Sequence, residues 1–118
     1  MALARGEPDR ITKTGHVFNK VGTYQIATLA RRHHIPFYVA APISTFDFDT
    51  FWKDVKIEER SPDEVRKIGG QQTAPENIPV FNPAFDVTPP ELITAIICEE
   101  GVLTKPFAPK INRLKKKQ

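Results

Sequence analysis

The pattern of apolar and polar positions organises this chain around one stretch, Asn19 to Pro42, NKVGTYQIATLARRHHIPFYVAAP. Asn19 is a residue type that accepts the free N–H groups of a helix start, which predicts an N-cap there. After it, Val21, Tyr24, Ile26, Ala27, Leu29 and Ala30 fall on more than one side of a helical wheel, the pattern of a helix buried nearly all round. Arg31, Arg32, His33 and His34 suit the negative end of the helix dipole. The two adjacent histidines diverge and read as capping groups. Ile35-Pro36 breaks the helix. Phe37-Tyr38-Val39-Ala40-Ala41 is then apolar without alternation, as in a strand covered on both faces of a parallel sheet. The spacing predicts a helix over 20–34 and a strand over 37–41, the αβ half of a βαβ unit.

The flanks add weaker elements. Residues 1–8 carry no strand pattern, and Pro8 forbids a regular central strand there, so the sheet is expected to be truncated at its N-terminal side. Thr12 to Gly15 is a turn signal. The segment ISTFDFDT after Pro42 follows the carboxyl end of the expected strand, where open α/β sheets bind ligands. There Ser44, Thr45, Asp47 and Asp49 offer hydroxyls and carboxylates between Phe46 and Phe48; the alternative is a solvated loop pinned by those rings. Phe51 and Trp52 are unusually apolar for a loop, and Val55 to Ile57 is a short strand candidate. Ser61-Pro62-Asp63-Glu64 and Thr88-Pro89-Pro90-Glu91 both carry the capping-box design. They predict a short helix over 62–68, stopped by Gly69-Gly70, and a helix over 89–99 that buries Leu92, Ile93, Ile96 and Ile97. Ile78 to Phe81 and Val102-Leu103 are further strand candidates.

Composition narrows the class. With 118 residues, 40% hydrophobic and 26% charged, the chain is expected to form one soluble domain without a signal peptide, and it has no apolar run long enough for a membrane span. Its single cysteine, Cys98, cannot form an internal disulfide, which points to a reducing, cytoplasmic compartment; on a run of isoleucines it reads as a small buried apolar residue. The net charge of +3 hides an asymmetry: residues 104–118 hold six cations and no acid, so the remainder carries −3. A body that is mildly acidic argues against a nucleic-acid partner. We expect residues 104–118 to form an extended basic tail, separate from a domain over 1–103. Its Lys115-Lys116-Lys117 run is a candidate nuclear import signal. No generic nucleophile, phosphate-loop or dinucleotide motif is present, and neither a metal nor a cofactor is expected. Asp9, taken alone, is a carboxylate before a turn.

Three segments carry a family likeness: DRITKTGHVFNKVGTYQIATLARRHHIPFYVAAPISTFDF, IEERSPDEV and APENIPVFNPAFDVTPPELITAIICEEGVL. Together and in order, over residues 9 to about 103, they resemble the C-terminal part of methylthioribose-1-phosphate isomerase. That superfamily also holds ribose-1,5-bisphosphate isomerase and the regulatory subunits of the translation initiation guanine-nucleotide exchange factor. The resemblance implies an α/β fold, a Rossmann-like parallel sheet with flanking helices. It implies an aldose–ketose isomerase of methionine salvage acting on a sugar phosphate, with Asp9 as the general acid/base that moves hydrogen between C1 and C2. It also implies that Asn19 and Lys20 touch the substrate. We further expect Asn19 and Lys20 to sit at a helix N-terminus that favours phosphate, and Asp9 to lie near an apolar wall. The larger first part of the family, with its phosphate arginines, glutamine and catalytic cysteine, is not matched, and Cys98 is not that cysteine. The alternatives are a non-catalytic module that forms a homodimer or pairs with a full-length homologue, and a regulatory relative of the exchange factor.

Overall fold

A computed structural model of the chain describes residues 2–4, 8–57, 61, 64, 67–72 and 83–118. A first sheet holds β1 (Ala2–Ala4), β4 (Phe37–Ala40), β9 (Ala95–Cys98) and β10 (Gly101–Thr104) in that order. β1, β4 and β9 run parallel, and β10 returns antiparallel to β9. The second sheet is ordered β5 (Phe46–Asp47), β2 (Arg10–Thr12), β3 (Val17–Lys20) and β8 (Phe85–Thr88). Here β2 and β5 are parallel, while β2–β3 and β3–β8 are antiparallel. β6 (Lys67–Ile68) and β7 (Gln71–Gln72) form a small hairpin. α1 (Thr23–Arg32) packs on β8, β4 and β1, and α2 (Phe107–Lys116) packs on β10.

One core links these pieces. Ile11 and Val17 from the second sheet meet Phe37, Val39 and Ile96 from the first, and Ile111 closes the cluster from α2. Phe37 and Val39 are buried along β4 between two parallel neighbours, but Tyr38 is half-buried and Ala40 exposed, so the strand is covered fully on one face and not on both as the unalternating sequence led us to expect. Thr94 clamps that register: its N–H donates to the Phe37 carbonyl at 2.8 Å, and its Oγ1 accepts from the Phe37 N–H at 3.0 Å. Gly15 closes the β2–β3 turn at φ +87°, where a Cβ would also come within 3.1 Å of Phe107. The turn and α2 are thus packed against each other with room for glycine alone.

The α/β class, the parallel pairs and the flanking helix follow the sequence pattern, as does a last strand at Val102-Leu103. Several elements differ. Asn19 lies inside β3 and is not an N-cap; Val17-Phe18 favour a strand, and the chain turns into α1 only at Gly22, φ +113°. Residues 2–4 supply the parallel strand that the sequence did not suggest. The helix expected over 89–99 is a single 3-10 turn, Pro90–Leu92, followed by β9. The capping residues start a helix, but the β-branched Ile96 and Ile97 gain more in a strand between β4 and β10. No strand forms over 55–57. Of the helix expected over 62–68, Glu64 is helical, while residues 67 and 68 pair with 71 and 72 across Gly69-Gly70; positions 62, 63, 65 and 66, and the candidate strand over 78–81, lie outside the described residues.

Two expectations about packing are also corrected. The tail is not extended: it forms α2, whose Phe107, Ile111 and Leu114 are spaced four and three apart and all buried. Its lysines at 115–117 are exposed, as expected. α1 is not buried all round. Only its small residues Ala27 and Ala30 face the sheets, whereas Ile26 and Leu29 are each more than half exposed, as is Val21 in the turn before it.

Candidate functional site

β3 places the candidate residues. Asn19 is 8% exposed and stands directly opposite Asp86 of β8, so the two side chains share a face of the sheet. Asn19 Oδ1 accepts from the Lys20 N–H at 2.8 Å. Asp9 precedes β2, and its N–H donates to the carbonyl of Phe18 at 2.8 Å, which fixes its backbone beside the residue before Asn19. Its side chain is exposed, not against an apolar wall. Lys20 is exposed, and alternation along β3 sends it away from Asn19. Its ammonium forms no ion pair among the described residues. Asp9, Asn19 and Lys20 thus gather around one strand end while facing different directions.

Asp86 is the residue that the sequence reading missed. Its Oδ2 accepts from the N–H of Gly22 at 2.9 Å and of Tyr24 at 3.1 Å. The first turn of α1 is therefore capped by a carboxylate from 64 residues away. Those N–H groups are occupied, which changes the expectation that they await a phosphate; among the described residues Lys20 is a cation at this end without an ion pair. Asp86 Oδ1 is buried without a hydrogen-bond partner among the described residues. The available signal was a single acid between Phe85 and Val87 in a segment fit to be a strand.

The loop after β4 is committed to structure. Asp47 Oδ1 accepts from the N–H groups of Asp49 and Thr50 at 3.1 and 3.0 Å, and Arg10 pairs with Oδ2 at 3.1 Å. The Thr50 N–H foremost, and also the Asp49 N–H and Arg10, hold the Asp47 carboxyl below its ordinary value of 3.8. Asp49 pairs with Lys115 of α2 at 2.8 Å. Both acids of this loop thus pin it. Among the described residues, no three or more His, Cys, Asp or Glu side chains gather as metal ligands, and no helix is long and apolar enough to cross a membrane.

Beside this loop the His16 ring stacks on Trp52, with centroids 4.3 Å apart and planes 8° apart, and His16 Nδ1 lies 2.8 Å from Thr14 Oγ1. Burial lowers the His16 pKa below 6.5, against a smaller opposing pull from Glu91. A lowered histidine pKa means that the unfolded chain binds the proton more readily. The contribution of His16 to stability is therefore full above pH 6.5 and is lost as pH falls through the folded-state value. Trp52 is the only tryptophan, so its emission should titrate with a midpoint below 6.5 and lose that titration in His16→Gln. An unchanged titration in that variant would detach it from His16.

Comparison with known proteins places this geometry. The model of the initiation factor 2 subunit family matches residues 8–105. The chain belongs to that family. The family match takes in Asp9, Asn19, Lys20 and Asp86 and ends before α2. The chain is 55% identical over 107 residues to methylthioribose-1-phosphate isomerase of Carboxydothermus hydrogenoformans, covering 90% of this chain and 31% of that protein. It is 58% identical over 106 residues to the protein of the same name from Exiguobacterium sibiricum, covering 89% and 30%. Among solved family structures, 5-methylthioribose 1-phosphate isomerase from Pyrococcus horikoshii superposes with a TM-score of 0.84 at 47% identity, over 95% of this chain and 32% of that one. The delta subunit of translation initiation factor eIF-2B from A. fulgidus gives 0.80 at 49%, over 91% and 32%. The resemblance read from the three motifs is thus borne out, and the chain spans about a third of the length of these relatives.

Proposed function

We propose that this chain is part of an aldose–ketose isomerase that converts methylthioribose 1-phosphate to methylthioribulose 1-phosphate in methionine salvage. The observation that carries the reading is the identity of 55% to an isomerase over 107 residues, together with the family match over residues 8–105, which holds Asp9, Asn19 and Lys20 around one end of β3. In this reading Asp9 is the general acid/base: it takes the hydrogen leaving C2 of the opened sugar as a proton and returns it at C1. Its exposure leaves it open to a substrate. Asn19 orients the sugar hydroxyls and Lys20 faces the phosphate. We expect a cytoplasmic enzyme with no nucleic-acid partner; the exposed lysines at 115–117 support the further proposal of nuclear import.

Two arms test this. Methylthioribose 1-phosphate should perturb the amides around residues 18–22 in nuclear magnetic resonance, and Lys20→Gln should abolish the effect; no perturbation in the native chain would sink the assignment of the site. In a coupled assay the isolated chain should turn over at least about 100-fold more slowly than a full-length relative, because acid/base chemistry fails when the substrate is misplaced by about 1 Å. Ordinary turnover that disappears in Asp9→Asn would show instead that this portion suffices.

A second reading is favoured by Ile26 and Leu29, apolar and more than half exposed one turn apart on α1. We propose that this face pairs with a second copy or a full-length homologue. A sedimentation profile that stays monomeric at high concentration, with no co-purifying homologue, would remove that reading.

A further inference from the structure

The far end of α1 from Asp86 opens onto a cleft of about 490 Å³ between the α1–β4 turn and the Pro90–Leu92 turn. Arg31 Nη1 and Lys105 Nζ converge there, donating to the same carbonyl oxygen, that of Glu91, at 2.6 and 2.9 Å. The two nitrogens therefore lie at most about 5.5 Å apart, the two bonds laid end to end. Like charges at that spacing repel, and among the described residues neither pairs with a carboxylate. A guanidinium has five donors and an ammonium three, and the carbonyl takes one from each. Ile35, Pro36 and Leu92 form an apolar wall beside these unused donors, and the Glu91 side chain is the single acid of the lining. His34, at φ +56°, turns the chain around the rim.

We propose that this cleft binds a phosphate-class oxyanion, gripped by the planar fork of Arg31 and by Lys105 as a point charge. An anion spanning both would relieve the repulsion that a neutral carbonyl leaves in place. The site is separate from the one around β3: α1 has 10 residues, about 15 Å of helix. Its anion is inorganic phosphate or the phosphate of a small ester, and the apolar wall gives an ester body something to contact.

The test is a titration of the labelled chain with inorganic phosphate and with phenyl phosphate at constant ionic strength, followed by amide shifts. Saturable shifts at residues 31–36 and 92–94 are expected, weakened about tenfold or more by Lys105→Gln and unchanged by Lys20→Gln. Tighter binding of phenyl phosphate would assign an ester; equal binding would assign the bare anion. Shifts that chloride reproduces, or that persist in Arg31→Gln/Lys105→Gln with a native thermal transition, would overturn the proposal. Arg31→Lys keeps the charge and separates loss of the fork from loss of the fold.

Discussion

A double variant Phe107→Ala/Ile111→Ala is expected to lose most of its folded population at room temperature. Both side chains are almost fully buried in the core that joins the two sheets. Removing buried apolar groups of this size costs about 2–5 kcal/mol each, because transfer energy is lost and the cavity only partly collapses. A domain of this length has a total stability of about 5–15 kcal/mol. The double loss therefore consumes much or all of it. By contrast, Lys115→Gln and Lys117→Gln break only the exposed pairs with Asp49 and Glu100, worth under about 1 kcal/mol each. Urea denaturation followed by circular dichroism measures both. A double variant as stable as the native chain would mean that α2 is a dispensable tail after all.

Replacing Asp86 by alanine should cost about 2–4 kcal/mol, with α1 as the place where the loss appears. Two backbone N–H groups, of Gly22 and Tyr24, lose a charged acceptor, and hydrogen bonds to charged groups contribute about 1.5–3 kcal/mol each before partial replacement by water. Asp86→Asn keeps an oxygen for them and should lose less. Hydrogen exchange at Gly22, Tyr24 and Ile26 should accelerate before exchange at Val39 or Ile96. Uniform acceleration across both sheets would show that Asp86 supports the global fold and not the helix start.

Legibility in the sequence divided along physical lines. The helix–turn–strand unit was readable because Ile35-Pro36 breaks the helix and the apolar run after it favours a strand, although that strand is buried at Phe37 and Val39 and exposed at Ala40. The family was readable because several motifs recur in order. What local rules missed depends on distant partners. Thr88-Pro89-Pro90-Glu91 has good helix-start chemistry, yet β4 and β10 on either side turn the following isoleucines into a strand. Phe107, Ile111 and Leu114 form a helical stripe that the surrounding lysines concealed. In the candidate site, Asp9, Asn19 and Lys20 could be named from the motif. Asp86 could not, since its task is set by a helix 62 to 64 residues earlier in the chain.

That distance governs the order in which the molecule can form. A ten-residue helix is marginal in water by itself, and the carboxylate that secures the start of α1 belongs to a strand made much later. β4 likewise lacks its β9 neighbour until residues 95–98 exist. As the chain leaves the ribosome, α1 and β4 must therefore wait, with Phe37 and Val39 incompletely covered, until β8 and β9 have emerged. Such long loop closures make folding slow, and the interval before β9 slots in is when the nascent chain is most open to chaperones and to aggregation.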